Sequence, residues 1–160
     1  MISLGMRNPF IDDMSISYFP TVFGTLAIED DGEYVTCIML QEGEGEPTDV
    51  ALRAFTEISE YLSGERRAFD FKIRPGGTDF QKRVWKAISG IPYGETRTYA
   101  QIAEGAGRRE AARAAGSACG ANPVIIAIPC HRVVRSDGST GDYLYGAEMK
   151  ESLLRLERGY

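Results

Sequence analysis

The sequence predicts an α/β protein of the α+β kind, with a small sheet and its covering helix followed by a helical half. Three observations carry this. β-Branched and aromatic residues crowd positions 15–40, apolar spacing of helical period takes over afterwards, and Pro75-Gly76-Gly77 punctuates the chain between the two regimes. With 160 residues, 43% hydrophobic and 26% charged, the chain is long enough to bury a sizeable core and too apolar to stay disordered. The boundary is placed between Gly76 and Gly77, giving an N-terminal α/β domain over 1–76 and a C-terminal domain over 77–160.

From Ser15 to Leu40 the strand-forming run is broken at Phe23-Gly24 and at Asp30-Asp31-Gly32, the turn signals of a meander. Pro47-Thr48-Asp49 opens a helix with Leu52, Phe55, Ile58 and Leu62 on one stripe, and Gly64 follows as its C-terminal cap. Phe69, Phe71 and Ile73 alternate with polar neighbours and predict one more strand. Past the boundary, Thr78 with Gln81 makes a capping box, and Phe80, Val84, Ala87 and Ile88 form one apolar stripe. Thr98 with Gln101 repeats the box and opens a short helix that Gly105 and Gly107 end. A further helix, "RREAARAAGSACGAN", is predicted to begin near Arg108. It is almost wholly alanine, glycine and serine around Arg113. Two short helices joined by a glycine-containing turn have the outline of a helix-turn-helix, although small residues serve close helix packing equally well.

Net charge is -5, divided unevenly: 6 Lys+Arg stand against 14 Asp+Glu in residues 1–77, and 12 against 9 in residues 78–160. The basic second half can face phosphate. Cys37, Cys119 and Cys130 lie far apart with no CxxC spacing, which argues against a disulfide framework and a structural zinc site. "MISLGMRNPF" has no apolar core behind a basic flank, and no run approaches the ~18 apolar residues of a membrane span. A cytoplasmic protein with no membrane contact is expected.

"IIAIPCHRVV", residues 125–134, sets Cys130 and the chain's only histidine, His131, inside an apolar run that otherwise reads as a buried strand. A free cysteine in such a run is ordinarily an inert small hydrophobe, which is how Cys37 and Cys119 read. Cys130 differs: Pro129 restricts the backbone before it, and His131 and Arg132 bring a base and a cation beside the thiol, the setting that favours thiolate. Neighbours in a strand point to opposite faces, so the imidazole needs a turn at Pro129 or a bridging water to reach the sulfur.

"GTDFQKRVW", "YGETRTYAQIA", "AARAAG", "NPV" and "IPCHRV" follow one another in an order and at spacings that resemble the O6-alkylguanine-DNA alkyltransferases, the methylated-DNA to protein-cysteine methyltransferases. The likeness is close from Gly77 to Gly159 and extends only to general layout before that. It implies a helical C-terminal domain carrying the DNA-binding helices and the cysteine. Cys130 would accept the alkyl group, with His131 as its base through a water. Glu157 of "LLRLERG" would orient that imidazole. Asn122 would tie the active-site turn to the recognition helix, and Tyr99 would donate to the leaving guanine. Arg113 would fill the gap left by the flipped base, approached from the minor groove, with Thr98, Arg108, Ala112, Gly116 and Arg132 as further DNA contacts. Tyr143, Leu144 and Tyr145 would line the substrate pocket. The implied partner is double-stranded DNA carrying O6-alkylguanine, with O4-alkylthymine as a second lesion, bound by a monomer that needs no metal or organic cofactor. The thioether product has no route back to thiol, so each molecule would act once.

The chain departs from the family pattern at "GDYLYG", where Tyr145 replaces a glycine or tryptophan and is expected to narrow the pocket. Two other readings are open to these residues. One is a helix-turn-helix DNA-binding or regulatory module in which Cys130 is structural. The other is a Cys-His hydrolase, disfavoured because no oxyanion donor motif lies near Cys130.

Overall fold

The computed structural model describes residues 14–159, so the reading of the first ten residues lies outside the described residues. Strands β1 (Ser15–Thr21), β2 (Gly24–Asp30) and β3 (Val35–Leu40) form an antiparallel meander in the order β1-β2-β3. Both predicted turns are present, with Gly24 and Gly32 at positive φ. Helix α1 (Asp49–Leu62) covers the sheet, its Thr48 side chain capping the Ala51 N–H. Its buried face is rotated from the predicted stripe: Ala51, Ala54, Ile58 and Tyr61 point inward, and Leu52 is exposed. Alanines at 51 and 54 let α1 approach the sheet closely, so the larger Leu52 falls on the outer side.

The predicted strand over Phe69–Ile73 is absent. Only one parallel bridge, Val35 to Ile73, forms there, through the Val35 N–H to Lys72 O and the Arg74 N–H to Val35 O. Phe69 and Phe71 pack side by side on the core rather than pairing in a ladder.

Both predicted capping boxes form, opening α2 (Asp79–Ser89) and α3 (Tyr99–Gly105). Helix α4 runs over Ala112–Gly120, four residues later than expected from Arg108, because Arg108–Ala111 is spent on turns after Gly107 at positive φ. Two residues before α3, β4 (Arg97–Thr98), pair in parallel with β5 (Val133–Val134), and α5 (Ala147–Arg158) closes the chain. Its apolar stripe carries Lys150, Leu153, Leu154 and Glu157 at helical spacing, all buried.

One buried cluster runs through both halves. Ile38 of β3 donates to Pro123 O and accepts from the Ile125 N–H, joining the sheet edge to the segment after α4. Trp85 of α2 donates through Nε1 to Ala118 O at 2.9 Å, fixing α4 against α2. Among the described residues no helix is long and apolar enough to cross a membrane.

Trp85→Phe removes that buried bond and leaves a small void, with Ala118 O keeping the Ala121 N–H. It should cost about 2 kcal/mol in a chemical denaturation experiment.

Candidate active site

The run from Val124 to Arg132 folds as consecutive tight turns and only Val133–Val134 joins a strand, in place of the continuous buried strand that its composition predicts. The N–H groups of Ala127, Ile128, Cys130 and Arg132 bond to Ile125, Val124, Ile128 and Pro129 carbonyls, and Cys130–Arg132 is one turn of 3-10 helix. Ile126 adopts φ 72°, a region costly for a β-branched side chain, on the order of 1–3 kcal/mol. Asn122 holds this geometry: its Nδ2 donates to Ile128 O at 2.8 Å while its Oδ1 accepts the Val124 N–H at 2.9 Å. The turn at Pro129 puts Cys130 and His131 on a helical arc, so consecutive side chains no longer face opposite ways.

Glu157 lies behind this turn with 1% of its side chain exposed. Its Oε1 accepts from Arg132 Nε at 2.8 Å and the Gly94 N–H at 3.1 Å. Its Oε2 accepts from the Tyr61 hydroxyl at 2.5 Å, His131 Nε2 at 2.7 Å and Arg132 Nη2 at 3.0 Å. Burial pushes the Glu157 carboxyl up, but hydrogen bonds from His131 and Arg132 outweigh it and hold the group well below the usual carboxylate range. An ionised carboxylate only accepts, so His131 carries its proton on Nε2. Nδ1, which is buried and has no protein partner, is left as the basic nitrogen. Burial lowers the His131 pKa, and the bond to Glu157 offsets this only in part, so the imidazole is neutral at neutral pH.

Cys130, 5% exposed, sits at the edge of a cavity of about 840 Å³ whose walls include Tyr99, Ala112, Arg113, Gly116, Cys119, Tyr143 and Leu144. Burial pushes its thiol well up, and the neighbouring Cys119 adds to this. The Asn122 side chain and the charge of Lys150 pull the other way. Lys150 is fully buried and donates to Val133 O at 2.6 Å and Asp142 O at 3.1 Å. The Tyr99 phenol is pushed up to about 12, chiefly by burial, and therefore keeps its proton to donate. Tyr143 is also pushed up by burial, and its hydroxyl has no partner. Gly141, at φ 77°, lets the backbone pass Tyr99, where a Cβ would stand 3.1 Å from the phenol oxygen.

Most residues singled out in the sequence converge here. Cys130, Tyr99, Arg113, Ala112, Gly116, Tyr143 and Leu144 share the cavity, while His131, Glu157 and Asn122 support it from behind. Arg113 is exposed at its mouth, Thr98 caps α3, and Arg108 lies exposed over the Phe80 ring. Two residues do not follow expectation. Arg132, expected among the DNA contacts, has its guanidinium buried and committed to Glu157 and, through Nη1, to Ile91 O at 2.7 Å. Tyr145 does not wall the cavity, because its hydroxyl accepts the Leu40 N–H of β3 at 3.2 Å and its ring lies in a separate surface groove with Val22 and Phe23.

Sequence reasoning missed Tyr61, Gly94 and Lys150. Lys150 and Glu157 were detectable as two charges on the apolar stripe of α5, since a buried helix face accepts a charge only when something pairs with it. Tyr61 showed only as an aromatic at helical spacing.

The sequence matches the family described as "6-O-methylguanine DNA methyltransferase, DNA binding domain" over residues 79–159. The methylated-DNA--protein-cysteine methyltransferase of Methanosarcina barkeri is 53% identical over 104 residues, 65% of this chain and 66% of that protein. The inducible enzyme of that name in Bacillus subtilis is 38% identical across 99% of this chain and 79% of its own length. The crystal structure of Mycobacterium tuberculosis OGT in complex with DNA superposes with a TM-score of 0.82 at 38% identity, covering 90% of this chain and 93% of that one.

Glu157→Gln leaves Arg132 buried without its counter-charge and should destabilise the fold by about 3 kcal/mol at neutral pH, measured by chemical denaturation. The folded pKa of Glu157 is depressed, so its contribution is fully present above the ordinary carboxyl pKa and is lost as pH falls through the folded value. The gap between wild type and variant should therefore close in strong acid.

Proposed function

The chain belongs to the 6-O-methylguanine DNA methyltransferase family, and from this premise we propose that it repairs DNA by taking the alkyl group of O6-alkylguanine irreversibly onto Cys130. The observation that carries this reading is a buried thiol, open to a cavity, followed in the chain by a neutral imidazole whose Nδ1 is buried and without a partner and whose other nitrogen is pinned by a buried carboxylate.

The thiol proton leaves to His131 Nδ1 through a water. The sulfur then attacks the saturated alkyl carbon, a C–S bond forms, and the C–O6 bond breaks with its electron pair passing to the guanine. Tyr99, held protonated, donates to the departing base where negative charge develops. Glu157 keeps the imidazole in the right tautomer and stabilises the cation formed there, while the charge of Lys150, itself disfavoured by burial, favours the nascent thiolate. The site holds no group able to cleave a thioether, so each molecule acts once.

The target atom lies within the duplex stack, so the base must be flipped. Helices α3 and α4 would form the helix-turn-helix that engages the duplex. The bare surface of α4 admits the DNA backbone, and Arg113, exposed at the cavity mouth, fills the space the base leaves. Residues 77–160 form the DNA-binding and acceptor domain and residues 1–76 its buttress. The protein acts as a cytoplasmic monomer on O6-alkylguanine, with O4-alkylthymine as a second lesion.

Incubation with excess methylated duplex should add one methyl per protein, found by mass analysis on the Cys130 peptide, and Cys130→Ser should add none. Several equivalents repaired per molecule would refute the mechanism. The transfer rate should hold across neutral pH and drop only below the ordinary imidazole range, because His131 must be neutral to accept the proton and its pKa is lowered.

Since Tyr145 is tied to Leu40 and does not wall the cavity, the narrowed pocket expected from its size is withdrawn. Tyr145→Gly should leave the ratio of benzyl to methyl transfer within about twofold of wild type; a selective gain in benzyl transfer would return Tyr145 to the pocket wall.

A further inference from the structure

Tyr61 is fully buried on α1, in the half of the chain remote from the cysteine. Its ring packs edge-on against Tyr93, 6.1 Å away, and tilts against Phe69 at 5.4 Å, so the hydroxyl is held in place. That hydroxyl lies 2.5 Å from Glu157 Oε2 and 3.2 Å from His131 Nε2, the two atoms that define the imidazole's anchor. We propose that Tyr61 is a positioning residue for alkyl transfer: by donating to the Glu157 oxygen that holds His131, it sets how strongly that carboxylate binds the imidazole. The proposal rests on the transfer reading above.

A carboxylate has about four lone-pair sites, and here five donors compete for them. Each donor on Oε2 draws on the charge available to the others, so a bond from Tyr61 weakens the pull of Glu157 on the imidazolium. His131 is faced by Glu157 and Lys150 of α5, by Arg132 of its own turn, and by Tyr61 of α1, with Tyr93 behind Tyr61. Among the charged groups only Glu157 favours protonated His131; Arg132 and Lys150 oppose it. Removing the phenol hydroxyl frees Oε2 to bind imidazolium more tightly, so His131 keeps its proton to higher pH and is less available as a base. Burial holds Tyr61 in its protonated form, so the donor itself does not titrate in the working range.

Tyr61→Phe keeps the ring and its packing and removes only the donor. Single-turnover transfer from methylated duplex to Cys130, followed across pH, should stay near the wild-type plateau at neutral pH and fall about threefold below wild type within the acid limb. Its acid limb should move up by about half a unit. Site-specific fluorotyrosine at position 61, a stronger donor of nearly the same shape, should move the limb down. As a structural control, Phe55→Leu, which disturbs the stack of Phe55 on Phe19 elsewhere on α1, should lower the melting temperature and leave the limb in place. Transfer by wild type with coincident acid limbs in wild type, Tyr61→Phe and the fluorotyrosine protein overturns the proposal alone. No transfer to Cys130 by wild type overturns the functional reading and the proposal with it.

Discussion

A single buried carboxylate, Glu157, is the constraint on which the rest of the arrangement depends. Burying an anion is costly unless every lone pair is met, and the fold meets them with donors on four residues of three segments: one on α1, one in the turn before β4, and two in the 3-10 turn. Satisfying Glu157 therefore fixes where those segments sit. The Arg132 guanidinium, expected from the resemblance among the DNA contacts, is consumed in this role and extends it to the Ile91 carbonyl. The cavity beyond is shaped by groups whose positions this anchor has already determined.

The second constraint is the opposition between burial and reactivity at Cys130. A thiol exposed to 5% is disfavoured as thiolate, and the structure supplies only partial remedies in Lys150 and the Asn122 side chain. The arrangement thus suits a nucleophile that is neutral at rest and is deprotonated when a base acts on it. The strained Ile126, the Asn122 bonds and the Gly141 passage are the backbone requirements for placing sulfur and phenol around one space with the imidazole behind it.

Much of the fold was legible because its signals are local. The capping boxes at Thr78 and Thr98, the Thr48 start and the glycine turns depend on residues within four positions of one another, and all formed. The errors came where distant packing decides. Phe69–Ile73 alternates like a strand but has only Val35 to pair with, and the apolar run before Cys130 is folded into turns by a side chain at Asn122. Of the site, the cysteine, histidine and cavity residues were found through linked motifs. Tyr61 was not, because nothing in the sequence around it distinguishes a phenol that meets a carboxylate from one that only packs. Tyr145 was misplaced for a related reason: ring size is visible in sequence, but the backbone N–H of Leu40 that holds it is not.

The bond between Tyr61 and Glu157 spans 96 residues, and those from Gly94 and Arg132 to the same carboxylate span 63 and 25. Contacts of such separation close late, since the entropy of the enclosed chain opposes them until local elements have formed. As the chain emerges from the ribosome, its meander, α1 and α2 are complete long before α5 appears. Until α5 docks, Arg132 lacks its counter-charge and His131 its anchor. Competence for chemistry is thus acquired in the final docking step of folding, and a partly assembled molecule would present a cysteine before it possessed the means to activate it.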